Sequence, residues 1–241
     1  MNSRDTILAR IREALRTPAP LPHLKSHGAV EDAAPANGHG VPALTVLPLD
    51  VARPWLPDGG DSPDEQLQML TENLEKLRAV VHHVPDIAAA ADRVAAIARD
   101  RGWARVAFHG HPLIDPLVSA VPCATYRVDD PATDKNTLEA CDAGITACEA
   151  LVSQTGSILV SSATCGGRGL SIVPHVHIVV ATRDQIVPTL GDALQRAKHR
   201  HSGRLPSMLS FITGPSRTGD IERILVLGAH GPKELLVFLV S

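Results

Sequence analysis

The sequence predicts an α/β fold in which an open sheet is flanked by helices. Between residues 61 and 108, segments with helical periodicity alternate with short apolar runs that are typical of strands. Residues 176–181 are almost entirely apolar, which indicates a buried strand. At 241 residues the chain is long enough for one sizeable domain with an appendage. We therefore expect a single α/β domain to make up most of the chain.

Composition and charge argue against several classes of protein. Hydrophobic residues make up 44% of the chain and charged residues 20%, as is usual for globular proteins. No apolar run approaches the ~20 residues that a membrane-spanning helix needs. The N-terminus is polar and helical in character rather than a signal peptide, so we expect a cytoplasmic protein. A net charge of -3 and an aromatic content of 2% argue against nucleic-acid binding.

The first 60 residues are predicted to lie outside the main domain. Ser3 can cap an amphipathic helix whose apolar face contains Ile7, Leu8, Ile11 and Leu15. Residues 17–60 are rich in Pro, Gly, His and Ala, which predicts an irregular arm. We therefore predict an N-terminal helix and Pro-rich arm at residues 1–60 and an α/β domain at residues 61–241.

Capping signals and periodicity predict the elements of this domain. Ser62 and Pro63 mark the start of a helix that continues to Leu77. A strand at 79–84, an Ala-rich helix at 86–101 and a strand at 106–108 follow. Further predicted elements are paired strands at 145–152 and 158–161 around a turn at 153–156, a strand at 176–181, a helix at 185–198, and strands at 224–227 and 235–240.

The segment 214–222 is the first candidate for a ligand site. It places the hydroxyls of Ser216 and Thr218 beside the guanidinium of Arg217, among the backbone amides of a turn. Such a group can bind a carboxylate or a phosphate, with Arg217 as a planar bidentate donor. The alternative is a solvated turn that precedes a strand, and the spacing favours neither interpretation.

The second candidate is the loop of small residues at 161–169. Gly167 lets the backbone approach a ligand closely, and Arg168 can add a positive charge. The loop is not a P-loop, because no Gly-Lys-Ser/Thr follows the glycines, and it lacks the G-x-G-x-x-G pattern. Nucleotide binding therefore has no support from a motif.

Histidines and cysteines give weak indications of metal chemistry. His175 and His177 would share a face of a strand, but without an obvious third ligand we expect no metal site. The four cysteines form no C-x-x-C pair, so we expect this chain alone to bind no iron–sulphur cluster. Cys148 lies in an apolar run and is interpreted as a core residue rather than a nucleophile.

His230 lies in a Gly/Pro turn between two apolar strands. Loops at sheet ends often build sites, and a histidine there can act as an acid or base near neutral pH. It can equally stabilise the turn through a hydrogen bond. Both interpretations of His230 stay open.

Several segments, in their order along the chain, resemble the LUD-domain family. The resemblance rests on residues 144–150, 155–157, 174–178, 214–218 and 226–232, and covers roughly the last two thirds of the chain. Its most specific parts are the G-P-S-R-T-x-D-I-E and H-G-P segments. The resemblance implies a NagB/RpiA/CoA transferase-like fold, whose members bind small anionic or phosphorylated ligands at loops on the strand ends.

The resemblance also implies a role in the oxidation of L-lactate to pyruvate. The chain would be the non-cluster subunit of an oxidoreductase complex, and two iron–sulphur lactate-utilization proteins would carry the clusters. Arg217 would then clamp the carboxylate, while His230 would take the hydroxyl proton. The ligand-binding residues implied are Thr155, Gly156, Gly167, Arg168, Ser216, Arg217 and Thr218, with His230 as the catalytic residue.

One departure from the family bears on the mechanism. Many relatives have Glu before the Thr-Gly pair, where this chain has Gln154. A glutamine cannot ionise, which disfavours a CoA-transferase-like glutamyl mechanism. The alternative is a free-standing binding protein or enzyme for a phosphorylated or CoA-linked metabolite. A third possibility is an assembly scaffold that docks through its N-terminal helix and arm.

Overall fold

The computed structural model describes residues 57–130, 135–218, 226–228 and 230–241, together with Glu13. The chain divides into two units, residues 1–51 and 52–241, and apart from Glu13 everything described belongs to the second. Except for Glu13, which is helical, and residues 57–60, the predicted N-terminal helix and Pro-rich arm lie outside the described residues. The boundary between residues 60 and 61 stays a prediction.

The first half of the domain alternates helices and strands, as predicted. Its elements are α1 Pro63–Lys76, β1 Val80–Val84, α2 Ile87–Asp100, β2 Arg105–Phe108, α3 Asp115–Ala120 and β3 Ala124–Arg127. The first two helices start at side-chain caps: the Ser62 hydroxyl accepts the Glu65 N–H, and the Asp86 carboxylate accepts the Ala89 N–H. Ser62 was the start signal that the sequence indicated, whereas Asp86 was predicted only as the first residue of its helix.

Within the described residues, the second half contains most of the strands and one α-helix. Its elements are β4 Ala143–Thr146, β5 Ala150–Val152, β6 Ser157–Ser161, β7 Val176–Thr182, β8 Ile186–Val187, α4 Leu190–Arg200, β9 Leu209–Ile212, β10 Arg217–Thr218, β11 Val226–Leu227 and β12 Glu234–Val240. Two 3-10 helices, Lys135–Ala140 and Arg183–Gln185, connect some of them. In the described residues, no helix is long and apolar enough to cross a bilayer.

The central sheet has six parallel strands in the order β1-β12-β7-β4-β2-β3. A second sheet has the order β8-β5-β6-β9, and β10 and β11 form a two-stranded ribbon. Parallel neighbours need crossover connections, which the helices supply in the first half of the domain. The open sheet flanked by helices confirms the predicted fold class.

Apolar side chains cover both faces of the central sheet. On one face, Ile178 packs in the same cluster as Val94 of α2. On the other face, Val237 clusters with Leu74 of α1 and with Ile158 of the smaller sheet. Helix α4 covers the far face of the smaller sheet. The faces are thus filled, so that loops at the strand ends are the places where a ligand can reach the domain.

Residues 145–152 do not form the single strand that was predicted. Strand β4 ends at Thr146 in the central sheet, and β5 begins at Ala150 in the smaller sheet. The three residues between them carry the chain from one sheet to the other. Apolar periodicity does not reveal this change, because both strands are fully buried.

The helix predicted from residue 185 begins at Leu190. Thr189 caps it by accepting the N–H of Asp192, whereas Gln185 lies in a 3-10 helix and donates its side-chain amide to the Cys148 carbonyl. The predicted strand at 224–227 is described only as β11, since residues 224 and 225 lie outside the described residues. Strands β3, β8, β9 and β10 and helix α3 were not predicted from the sequence.

Candidate ligand-binding site

A pocket of about 480 Å³ lies at the carboxyl ends of β2 and β3. Its lining residues come from the loops after these strands and after β6, and are His109, Gly110, His111, Val128, Asp129, Ser162, Ala163, Thr164, Gly166 and Gly167. Strands β2 and β4 are neighbours in the central sheet. The next strand of this sheet after β2 along the chain, β3, lies on one side of the pair, whereas the next one after β4, β7, lies on the other side. Ligands of open α/β sheets bind at such a switch point. We call this site the carboxyl-end pocket.

Two backbone amides orient the imidazoles of His109 and His111. The N–H of Ala147, the residue after β4, donates to Nε2 of His109 over 3.2 Å. The N–H of Leu113 donates to Nδ1 of His111, also over 3.2 Å. Because each of these nitrogens accepts a hydrogen bond, the neutral ring carries its proton on the other nitrogen. Both rings are therefore held as N–H donors.

Burial keeps both imidazoles uncharged. It lowers the pKa of His109, and the neighbouring His111 lowers it further, against the opposing charge of Asp129. Burial also lowers the pKa of His111, and the charge of Arg200 adds to this effect. Two histidines with lowered pKa values are neutral at pH 7, so neither ring adds a positive charge to the pocket. A hydrogen bond with the Gly110 backbone opposes the lowering of the His109 pKa without reversing it.

The glycines after β6 supply backbone donors. Gly166 and Gly167 have φ angles of +77° and +82°, in the left-handed region that favours glycine. A Cβ at Gly166 would overlap the side chain of Leu170 and lie 3.2 Å from Cβ of His109. Within the described residues, neither glycine amide donates a hydrogen bond. Two free N–H groups in a pocket wall are suited to an anionic oxygen.

A buried carboxylate lies beneath this loop. The side chain of Glu149 is 0% exposed. Its Oε1 accepts hydrogen bonds from Ser161 Oγ at 2.6 Å and His201 Nε2 at 2.9 Å, and from the hydroxyl of Thr164. Its Oε2 lies 3.4 Å from Nε of Arg200. Because Thr164 lines the pocket, the carboxylate supports the pocket wall from inside the protein.

The pKa of Glu149 is lowered although the carboxyl group is buried. Burial on its own would raise this pKa, but the hydrogen bonds from Ser161, Thr164 and His201 lower it, and so does the charge of Arg200. Together these interactions exceed the effect of burial. Glu149 is therefore ionised at neutral pH.

An ion pair closes the rim of the pocket. Arg127 donates from Nε and Nη2 to the two carboxylate oxygens of Asp129, each over 3.1 Å, and the Gly110 N–H donates to Oδ1 over 3.2 Å. The hydrogen bond from Arg127 is the main reason why the pKa of Asp129 is lowered. Because the guanidinium balances the charge of Asp129, the rim carries no unpaired negative charge against an anion.

The structure separates the residues that were predicted to form one site. Gly167 lines the carboxyl-end pocket, and Arg168 follows it as an exposed residue. The other predicted residues lie elsewhere, in the β5–β6 turn (Thr155 and Gly156) and before the amino ends of β7 and β12 (Ser216, Arg217, Thr218 and His230).

Residues 214–218, 228 and 230–233, which we call the amino-end segment, hold one another in place. The N–H of Ser216 donates to the Pro232 carbonyl over 2.8 Å, and the N–H of His230 donates to Ser216 Oγ over 3.3 Å. The N–H of Lys233 donates to the carbonyl of His175, the residue before β7. The segment therefore lies at the amino end of the central sheet. Its backbone hydrogen bonds are made largely within the protein.

The predicted residues Thr155 and Gly156 are connected to this segment. Thr155 Oγ1 donates to Ser157 Oγ over 2.8 Å, and Ser157 Oγ is also 2.8 Å from Thr213 Oγ1, directly before the segment. A Cβ at Gly156 would lie 2.9 Å from the backbone of Asn73. Close packing against α1 thus accounts for the glycine at this position.

The two ends of the sheet are too far apart for one small ligand. Strand β12 has seven residues. At ~3.3 Å per residue this corresponds to about 20 Å between the ends of the sheet. The amino-end segment and the carboxyl-end pocket are therefore two separate candidate sites.

Five residues in or beneath the pocket were not among the predicted site residues, namely His109, His111, Glu149, Arg200 and His201. His109 and His111 directly follow a predicted strand, and this position was a usable signal, because carboxyl ends of parallel strands build sites. Glu149 and His201 are 52 residues apart and meet through tertiary packing, for which the sequence has no local signal.

His175 and His177 are not arranged to share a metal ion. His175 is exposed, whereas His177 is 1% exposed and its Nε2 lies 2.8 Å from Thr146 Oγ1. Burial lowers the pKa of His177 to about 3. In the part of the chain that the structure describes, no group of three or more His, Cys, Asp or Glu side chains is placed to hold a metal.

The four cysteines lie in three different packing clusters. Cys148 and Cys165 belong to the cluster between the two sheets. Cys123 packs in a second cluster and Cys141 in a third. Burial raises the pKa of Cys148 and Cys165, which keeps both as thiols. The four sulphur atoms do not converge as a cluster would require, so these residues do not fit an iron–sulphur cluster.

The fold is an α/β domain with a pocket at the carboxyl edge of a parallel sheet. Residues 67–240 match the model of the LUD domain. This match covers most of the chain. The chain therefore belongs to the LUD-domain family, as its motifs predicted.

Several relatives share a name. Lactate utilization protein C of Deinococcus radiodurans is 35% identical over 158 residues, which cover 63% of this chain and 70% of that protein. The protein of the same name from Bacillus subtilis is 34% identical over 105 residues, 43% of this chain and 44% of that protein. The protein of this name from Shouchella clausii is 33% identical over 104 residues, which cover 43% of this chain and 45% of that protein. The chain thus spans less than half the length of the latter two relatives.

A solved structure supports the fold. The crystal structure of a DUF162 family protein from Deinococcus radiodurans at 1.70 Å resolution aligns with a TM-score of 0.56 and 29% sequence identity. The alignment covers 75% of this chain and 99% of that one.

Proposed function

We propose that this chain takes part in lactate utilization by binding a small carboxylate in the carboxyl-end pocket, as the non-cluster subunit of an L-lactate oxidation system. The names of its relatives support the pathway. The observation that carries the ligand class is the combination of free amides at Gly166 and Gly167 with neutral imidazole donors at His109 and His111. Such donors match the oxygens of a carboxylate.

The state of the two imidazoles supports a binding role. A base that takes the hydroxyl proton of lactate needs a free nitrogen lone pair. In His109 and His111, the unprotonated nitrogen already accepts a backbone N–H. We therefore assign these residues to ligand binding and leave the redox step to partner proteins.

The partners that we propose are two iron–sulphur lactate-utilization proteins. The separation of the cysteines in this chain supports an electron path that runs through clusters bound elsewhere. The chain would then present the ligand to a complex in which oxidation to pyruvate is completed. We expect it to bind no cluster by itself.

A second candidate function is the binding of a phosphorylated or CoA-linked metabolite. The observation that favours it is the pocket volume of about 480 Å³, which leaves room for a ligand larger than a three-carbon acid. A second candidate location is the amino-end segment, where exposed Arg217 would clamp the carboxylate and His230 would act as the base. Ligand identity and location are separable by experiment.

Titration of the full-length chain with different ligands tests the proposal. The ligands are L-lactate, pyruvate, a sugar phosphate and an acyl-CoA. Binding is measured by calorimetry and by the thermal shift that binding to the folded state must produce. We expect L-lactate or pyruvate to bind, and L-lactate-dependent reduction of an electron acceptor to appear only after the two iron–sulphur proteins are added. Binding of the phosphate or CoA ligand alone would favour the second candidate.

A further inference from the structure

We propose that Glu149, Arg200 and His201 form a positioning network that fixes the pocket wall at Thr164 without contacting the ligand. The inference rests on the proposed function of the carboxyl-end pocket. It adds the residues that determine the shape of that pocket.

Glu149 is sealed inside the protein and cannot reach a ligand directly. Its side chain is 0% exposed, and its backbone N–H donates to the carbonyl of Leu159 in β6 over 2.7 Å. The residue lies directly before β5, so its backbone is fixed between two strands of the smaller sheet. The carboxylate is therefore a rigid anchor beneath the loop.

The anchor holds the loop through two hydroxyls. Ser161 Oγ donates to Oε1 of Glu149 and accepts the N–H of Thr164 over 3.1 Å. The hydroxyl of Thr164 donates to the same carboxylate oxygen. The N–H of Cys165 donates to the Ser161 carbonyl over 3.1 Å. These bonds close the turn directly before Gly166 and so determine where its free amide lies.

Arg200 and His201 hold the carboxylate from the other side. Among the described residues, Glu149 Oε2 accepts no hydrogen bond, and its ion-pair contact is with Arg200 Nε at 3.4 Å. His201 donates to Oε1. Both residues lie at the end of α4, which packs on the smaller sheet through Ala193 and Ala197. A buried charge that loses its partner is destabilised, so loss of Arg200 should release the anchor.

The test uses two readouts on the full-length chain. Hydrogen exchange of the peptide spanning residues 162–167 reports the order of the wall, and calorimetry with L-lactate reports its consequence for binding. The variants are Arg200→Gln and Glu149→Gln, with Arg200→Lys as the conservative rescue. Arg196→Gln is the matched control, because Arg196 lies on the same helix and pairs with the exposed Asp184 at 3.6 Å.

We expect Arg200→Gln and Glu149→Gln to accelerate exchange at residues 162–167 while exchange in β12 stays unchanged. Both should weaken L-lactate binding by about tenfold, as is common for residues that orient ligand-contacting groups. Arg200→Lys should restore most of the affinity, and Arg196→Gln should change neither readout.

Unchanged exchange at residues 162–167 in both glutamine variants would overturn the proposal. Weaker affinity with unchanged exchange would overturn it as well, since Arg200 would then act on the anion through its charge alone. Accelerated exchange in a protein whose wild type binds no L-lactate would support the positioning network and count against the proposed function instead.

Discussion

The two ends of the central sheet differ in what their polar groups do. In the amino-end segment, the N–H of Ser216 is bonded to Pro232 and that of His230 to Ser216 Oγ, so these groups close the turn on itself. In the carboxyl-end pocket, the amides of Gly166 and Gly167 donate no hydrogen bond within the described residues. The motif at residues 214–218 therefore lies at the end of the sheet where these two backbone donors are already used.

A motif with suitable side chains is therefore not always the ligand site. A site needs donors that the fold leaves unpaired, and pairing depends on tertiary structure. We infer structural roles for Ser216, Thr155 and Gly156, and propose that the amides of Gly166 and Gly167 bind the ligand. Substitutions at the two ends should therefore separate into losses of stability and losses of binding.

The largest loss of folding stability is expected for Gly166→Ala, and Gly167→Ala is the variant to compare it with. Both residues have positive φ, so both variants should lose ~1–2 kcal/mol through backbone strain. At Gly166 the new Cβ also overlaps Leu170, which should bring the total to ~3 kcal/mol and displace the pocket wall. Denaturant unfolding and L-lactate titration measure both effects. Equal losses in the two variants would show that the wall is not tightly packed.

The second-largest expected effect is a pH-dependent loss of folding stability at His177, which lies between the two ends of the central sheet. Its pKa of about 3 is below the unfolded value of about 6.5, so the neutral ring stabilises the fold above pH 6.5. This stability is lost progressively as the pH falls from 6.5 towards 3, by about 2 kcal/mol at pH 5. Chemical unfolding across pH 7.5 to 5 should show a steeper decline for wild type than for His177→Gln.

His175→Gln is the matched control for this experiment, because His175 is exposed. This variant should keep the steep pH dependence of the wild type. Parallel curves for wild type and His177→Gln would mean that the ring is not held neutral in the folded state, and the structural role of His177 would have to be abandoned.

The smallest effect is expected at the turn that was predicted to bind ligand. Gln154 Nε2 donates to the Pro57 carbonyl over 2.7 Å, and a glutamate would place a carboxylate against that carbonyl. Gln154→Glu should therefore cost ~1 kcal/mol of stability without changing L-lactate affinity. Gln195→Glu, at an exposed position of α4, is the control and should be neutral. Gain of CoA-transferase activity in Gln154→Glu would restore a catalytic role to this turn.

Much of the fold was predictable because its signals are local. The start signal at Ser62 and the alternation of helices with strands predicted the first half of the domain. The split of residues 145–152 between two sheets was not predictable, since both halves are equally apolar and buried.

The candidate site was predictable only in part. Gly167 was identified because a run of small residues is visible in the sequence. His109 and His111 became candidates only once the loops after β2 and β4 were placed side by side. The contact between Glu149 and His201 joins residues that are 52 apart, and no local pattern in the sequence pairs them.

The most direct test of the central claim is calorimetric titration of L-lactate into His111→Ala and Arg217→Ala, with His175→Ala as the control. If the ligand binds in the carboxyl-end pocket, His111→Ala should weaken binding by about tenfold, the effect of losing one hydrogen bond of ~1.4 kcal/mol, while the other two variants bind as the wild type does. Loss of binding in Arg217→Ala with full binding in His111→Ala would contradict this prediction and place the ligand in the amino-end segment.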